Sequence, residues 1–227
     1  MTSELSSALG LARTSPAPRA SDRAYDVLLE MILDLRLPPG ATVNEQQLAA
    51  DIGFGRMPVR EAIARLRGDR FITVLPRRGT FVTPLSLDDV LDMFEAREAI
   101  ECGVAYIAAR RASESDLTTL RELVAAAEES RAGDQAEVYL AADHAIHSFL
   151  VVMASNGLLQ DAAERLLQHN IRFWRSYWAA RPTQHSSMLS HGDLLTALQS
   201  HDSEAAERAM RSHIAASRQL LEAAFQR

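Results

Sequence analysis

The chain has 227 residues, a formal net charge of −6, 47% hydrophobic residues and a single cysteine. That length holds one large or two modest domains, and no run of about 18 apolar residues is present to span a membrane. The first twenty residues lack the apolar stretch of a secretory signal, and Cys102 alone excludes an intrachain disulfide, so the expected compartment is a reducing cytoplasm.

Residues 1–20 are rich in Ser, Ala and Pro without amphipathic spacing, which predicts a disordered tail. Ser21 then caps a predicted helix reaching about Arg36, with Ala24, Val27, Leu28, Met31, Ile32 and Leu35 on one face; Leu37-Pro38-Pro39-Gly40 stops it. Asn44 with Gln47 reads as a capping box for a short helix bearing Leu48, Ala49 and Ile52, closed by Gly53. Pro58 suits the first turn of the next helix, where Ala62, Ile63 and Leu66 repeat at helical spacing and Arg60 and Arg67 stay exposed. Phe71–Leu75 and Thr80–Thr83 flank Pro76-Arg77-Arg78-Gly79, the pattern of a hairpin. Residues 21–84 therefore predict three helices plus a β-hairpin, a winged helix-turn-helix. From Gly55 to Thr80 seven arginines (56, 60, 65, 67, 70, 77, 78) face only Glu61 and Asp69, a net +5 on an acidic chain. That is the electrostatic footprint of a DNA-reading surface; a merely solvated arginine face is the bland alternative.

From residue 85 to 227 the texture becomes helical. Ser86 with Asp89, Ser113 with Asp116 and Asp134 with Glu137 read as capping boxes opening helices of about Leu87–Ala112, Ser113–Ala132 and Asp134–Asn156. Three more follow over about Leu158–Ala180, Ser187–Ser200 and Asp202 to near the end. Short connections make this an all-α antiparallel bundle of six to seven helices. Thirteen arginines against twenty-one carboxylates from Leu85 onward give −8, so this half should sense a ligand or pair with itself rather than hold DNA. Asp143 and His147 lie at i and i+4, on one face of one helix. With His191 and His213 from two later helices they form a donor set that suits Zn²⁺, Ni²⁺ or Mn²⁺. An ordinary i,i+4 pair with satisfied core histidines is the other reading, and spacing leaves both open. His144, His169, His185 and His201 read as ordinary polar positions. Arg172, Trp174, Arg175, Tyr177 and Trp178 crowd one helix, as pocket lining or as core with snorkelling arginines.

GRMPVREAIARL followed by LPRRGTFV resembles the winged-helix domain of GntR-family transcription regulators. The later half resembles the FCD ligand-binding domain of the FadR-like branch, through Arg97 with Glu101, Asp143-x-x-x-His147-Ser-Phe, Ser190-His191-x-x-Leu-Leu, Asp202-x-x-x-Ala206 and Met210-x-x-His213. The resemblance implies that Asp143, His147, His191 and His213 ligate a divalent metal that helps bind a small carboxylate effector. It makes Arg97 the clamp on that carboxylate, with a structural Arg97–Glu101 pair as the alternative; Arg172 and Arg175 of the crowded helix are the further effector-binding candidates. It implies DNA contacts at Gln46, Arg56, Met57 and Arg60, and at Arg77, Arg78, Gly79 and Thr80 on the wing. Two positions depart from the family pattern: Gly55 replaces a Ser or Thr, and Arg70 stands where glycine is usual.

The expectation is a bacterial, cytoplasmic homodimer that binds double-stranded operator DNA as a metabolite-controlled repressor, and sits on the nucleoid when bound. A metal-dependent enzyme domain fused to a DNA anchor is the second reading, since such a centre can activate water. A metal-free dimerisation scaffold is the third.

Overall fold

A computed structural model describes residues 18–180 and 188–225, with side chains to 222. Most of the predicted tail, the Arg181-Pro182 helix stop and His185 lie outside these residues. Three helices lead the chain: α1 (Ala20–Leu33), α2 (Glu45–Asp51) and α3 (Arg56–Gly68). The hairpin β1 (Ile72–Leu75) and β2 (Gly79–Val82) follows, pairing antiparallel from Ile72–Val82 to Leu75–Gly79. Six helices complete the described chain: α4 (Leu87–Arg111), α5 (Glu114–Ala132), α6 (Ala136–Ala154), α7 (Gly157–Ala180), α8 (Gly192–Gln199) and α9 (Ser203–Phe225).

Each part has its own apolar centre. In the head, Leu28, Ile32, Val59, Leu66, Phe71 and Val82 are fully or nearly buried together. In the body, Phe94, Leu120, Leu140, Ile146, Leu150 and Leu167 anchor a second cluster. Residues 40–43 run beside the wing: Gly40 N donates to Val82 O, Val82 N to Ala41 O and Val43 N to Thr80 O. The wing is thereby fixed on its inner edge, and its tip is left free.

Several local expectations shift. The cap of α1 is Arg19, whose backbone N–H donates to Asp22 at 3.2 Å, so Ser21 lies inside the helix. The helix ends at Leu33 rather than near Arg36. Pro38 disfavours helical backbone at the residue before it, and Leu35 turns left-handed at φ 60. Asn44 caps α2 by accepting from Gln46 N and Gln47 N, but Gln47 Nε2 donates to Asp51 at 2.7 Å instead of closing the box. The helix α3 opens two residues before Pro58, with Gly55 as a cap lacking any side-chain bond. The boxes at Ser86–Asp89 and Ser113–Asp116 form as expected. At α6 the cap is Gln135, because Asp134 is itself left-handed at φ 53.

Candidate functional site

One turn of α6 separates Asp143 from His147, and both side chains face the body's interior. His191 arrives as the residue capping α8, and His213 from α9. The four offer one ligand atom each, all within 4.8 Å of one another. Asp143 Oδ1 lies 3.7 Å from His147 Nε2, 3.2 Å from His191 Nε2 and 3.8 Å from His213 Nε2. The three imidazole centroids stand 4.4 to 5.5 Å apart.

Burial of such a set is costly unless something satisfies it. His147 Nε2, both nitrogens of His191 and His213 Nδ1 are buried without a hydrogen-bond partner among the described residues. The residues therefore fit a divalent cation: one carboxylate and three imidazoles with lone pairs to give.

The surroundings orient this set. Glu101 bonds His147 Nδ1, which leaves Nε2 for the centre. Arg97 Nε in turn donates to Glu101 at 2.6 Å, and its Nη1 to Asn170 Oδ1 at 2.9 Å. Burial opposes the charge on Glu101, but Arg97 and His147 overcome it and pull its pKa down to about 2. Burial likewise opposes ionisation of Asp143, and the facing His147 and His191 hold it well below the carboxylate range. His213 is pushed down by burial and by His191 and His147 beside it, which favours the neutral ligand form. Tyr139 braces the edge, donating to Leu189 O at 2.9 Å and lying 3.4 Å from Asp143 Oδ1.

The predicted effector arginines separate. Arg97 lines the small space beside Asp143 and His213, together with Trp174 and Trp178; that space measures about 10 Å³, roughly a single water. Arg172 and Arg175 share α7 with those tryptophans but face the head. Arg172 Nη2 donates to Thr83 O. Arg175 Nη1 reaches Asp34 Oδ1 at 2.7 Å and Leu33 O at 3.2 Å. The expectation that they line the metal pocket is corrected: Arg172 and Trp178 stand six positions apart on α7, and the two ends of that stretch face different partners. His169, read as an ordinary polar position, also joins head to body. It stacks on Phe71 at 4.0 Å and bonds Asp69 O at 2.9 Å.

On the head, Gln46, Arg56, Met57, Arg60, Arg77, Arg78 and Gly79 are all exposed and Thr80 is half-buried. Among the described residues Arg60 pairs only with Glu45, at 3.1 Å. The local +5 divides, however. Arg65 bonds Asp22 and covers Tyr25 at 4.2 Å, while Arg67 and Arg70 line a cavity against the body. Arg70 does adopt the left-handed backbone, at φ 65.

Sequence reasoning missed Glu101 as the partner of His147, along with Tyr139, Asn170 and His169. Glu101 and Tyr139 carried a signal, their i,i+4 spacing from Arg97 and Asp143; Asn170 and His169 meet residues 73 and 100 positions away and carried none.

Known proteins agree with this architecture. Residues 20–82 match the bacterial regulatory proteins of the gntR family, and residues 92–216 match the FCD domain. The HTH-type transcriptional repressor RspR of Escherichia coli K12 is 28% identical over 88% of each chain. The Nta operon transcriptional regulator of Aminobacter aminovorans is 30% identical over 73% of this chain and 78% of its own. In fold, the chain is similar to E. coli McbR/YncC, with a TM-score of 0.76, 19% identity and coverage of 92% of this chain and 98% of that one. A GntR regulator from Rhodococcus sp. RHA1 gives a TM-score of 0.72 at 22% identity, covering 89% and 98%. These relatives are transcription regulators, which sets aside the reading as a metal-dependent enzyme. Among the described residues no helix is long and apolar enough to cross a membrane.

Proposed function

The chain belongs to the GntR family of DNA-binding transcription regulators, in the branch with an FCD body, and we propose that it is a repressor relieved by a small organic acid bound at a divalent cation. Residues 21–84 grip the operator and residues 85–227 sense and dimerise. The observation that carries the sensing half is the buried quartet Asp143, His147, His191 and His213, with imidazole nitrogens that have no hydrogen-bond partner among the described residues. These four would hold the cation, with Zn²⁺, Ni²⁺ and Mn²⁺ as the candidates. Such a cation would supply a positive charge that attracts a carboxylate.

Arg97 stands beside that centre, already oriented by Glu101 and Asn170, as the guanidinium to meet the acid's second oxygen. The space there holds about one water, so an acid must displace Trp174 or Trp178 to enter. Both tryptophans sit on α7, the helix that also grips the head through His169, Arg172 and Arg175. Effector binding is thereby tied to how the head docks. It shifts the population of docked heads only because the acid binds the two arrangements unequally.

In a homodimer the paired heads present two α3 helices to a pseudo-palindromic operator. Arg56 and Arg60 then reach guanine edges or phosphates, Gln46 and Met57 lie alongside, and Arg77, Arg78, Gly79 and Thr80 bring the wing to the neighbouring groove. The test is titration of operator DNA against the metal-loaded protein across a panel of small organic acids. At least one acid should weaken binding, and Asp143→Ala should abolish its effect. Unchanged operator affinity across the whole panel would sink the effector reading, and purified protein without stoichiometric metal would sink the cation.

A further inference from the structure

A second cavity, of about 520 Å³, lies between head and body and shares no wall residue with the small space beside Asp143. The end of α3, the strand β1, the connection Thr83–Leu85, and helices α4 and α7 wall it. Its surface is largely apolar, through Ile72, Met93 and Phe173 among others. One wall residue does not suit such a place. Arg172 is 1% exposed, yet among the described residues no carboxylate comes within ion-pair reach of it. Its Nη2 donates to Thr83 O, and its Nε has no hydrogen-bond partner among the described residues. Thr83 Oγ1, on the same wall, is also buried without a hydrogen-bond partner among the described residues.

A buried guanidinium without a counter-charge is expensive, and burial accordingly lowers its pKa to about 10. Asp89 is the nearest candidate to neutralise it, but that carboxylate is exposed and engaged with Ser86 in the cap of α4. Arg67 and Arg70 add positive charge from the head side, against Asp92 on the body side. The volume falls in the range of small-molecule sites, roughly 300 to 1,000 Å³.

We propose that this junction cavity is a second ligand site, which takes an organic carboxylate carrying an apolar ring or chain. The carboxylate pairs with Arg172 and bonds Thr83 Oγ1, and the apolar part packs on Met93, Phe173 and Ile72. Such a ligand touches α3 and β1 on one side and α4 and α7 on the other, so its occupancy fastens the head onto the body. The site is independent of the cation proposed at Asp143.

Calorimetric titration of the full-length protein with 3-phenylpropanoate, and with the neutral 3-phenylpropan-1-ol, tests this. The carboxylate should bind once per chain and the alcohol about tenfold more weakly or worse, the loss expected for a charge-assisted bond. Arg172→Gln removes the counter-charge, and Ala96→Phe fills the cavity from its half-buried wall. Each should weaken the carboxylate at least tenfold while thermal melts still show a folded protein. Should Arg172→Gln fail to fold, Ala96→Phe decides. His213→Ala should leave this binding unchanged, which separates this site from the cation centre. No binding by the wild type, equal affinity for acid and alcohol, or loss in His213→Ala but not in Ala96→Phe would overturn the proposal.

Discussion

Arg60 on the head and Arg97 in the body are the same side chain in opposite circumstances. Arg60 has a side chain 63% exposed and touches Glu45 at 3.1 Å. Arg97 has a side chain 1% exposed and is held by Glu101 at 2.6 Å and by Asn170 at 2.9 Å. A surface pair of the first kind contributes about 0 to 1 kcal/mol, so Glu45 can yield Arg60 to a phosphate or a guanine at little loss. The second kind cannot open without stranding a charge away from water. The head keeps Arg60 loose for a partner that arrives from outside, whereas the body satisfies Arg97 in advance and uses it to orient a donor set.

Removing the acid from each pair tests the contrast most severely. Glu101→Ala should cost about 3 to 5 kcal/mol in urea unfolding, because it strands Arg97 and frees His147 Nδ1. Glu45→Ala should cost less than about 1 kcal/mol. Similar losses in the two variants would mean that burial is not what separates these arginines.

Metal removal comes next. A ligand at a hundred times its Kd stabilises the fold by about 2.7 kcal/mol. For a chain of this length that is roughly 5 to 10 °C in melting temperature. Dialysis against a chelator should lower the melt by that amount in the wild type and leave Asp143→Ala where it was. An equal drop in both would place the effect elsewhere than the quartet.

On the head the expected change is in binding instead of stability. Arg56→Ala and Arg60→Ala should each cost about 1 to 3 kcal/mol of operator affinity if they read guanine. Their unfolding should stay within about 0.5 kcal/mol of the wild type. Gel-shift titrations at two salt concentrations distinguish a guanine contact, which changes sequence preference, from a phosphate contact, which mainly changes the salt slope.

The parts of this contrast that were legible in the sequence are the local ones. Ser86–Asp89 and Ser113–Asp116 announce their helix starts because a capping box is written in four consecutive residues. Asp143 and His147 could be paired because one helical turn joins them. That His191 and His213 complete the quartet was implied by resemblance to a family, since spacing says nothing of which helices meet. Arg172 and Arg175 were misplaced for the same reason. Helical periodicity puts them near Trp174 and Trp178, but only the docked head reveals that Thr83 and Asp34 draw them away. The seven head arginines looked like one patch because charge counting carries no direction; Arg65, Arg67 and Arg70 turned toward α1 or the body instead.

Arg70 presents a third circumstance, in which the cost of an exposed arginine lies in its backbone. The helix α3 runs to Gly68, and Asp69 still has helical-side dihedrals, so the reversal into β1 falls on Arg70 at φ 65. The bonds Arg70 N to Arg67 O and Phe71 N to Leu66 O fix that turn. A left-handed non-glycine residue costs about 1 to 2 kcal/mol. Glycine would remove that cost but give back about 0.4 to 1 kcal/mol through the freer unfolded chain. Arg70→Gly should therefore raise unfolding free energy by roughly 0.5 to 1 kcal/mol, read as a higher urea midpoint at unchanged slope. The left-handed turn would then be a tolerated strain, kept for a side chain that lines the head–body cavity. A lower midpoint would mean that the side chain contributes more to docking than its backbone costs, and Arg70 would belong with Arg97 among the settled charges rather than with Arg60.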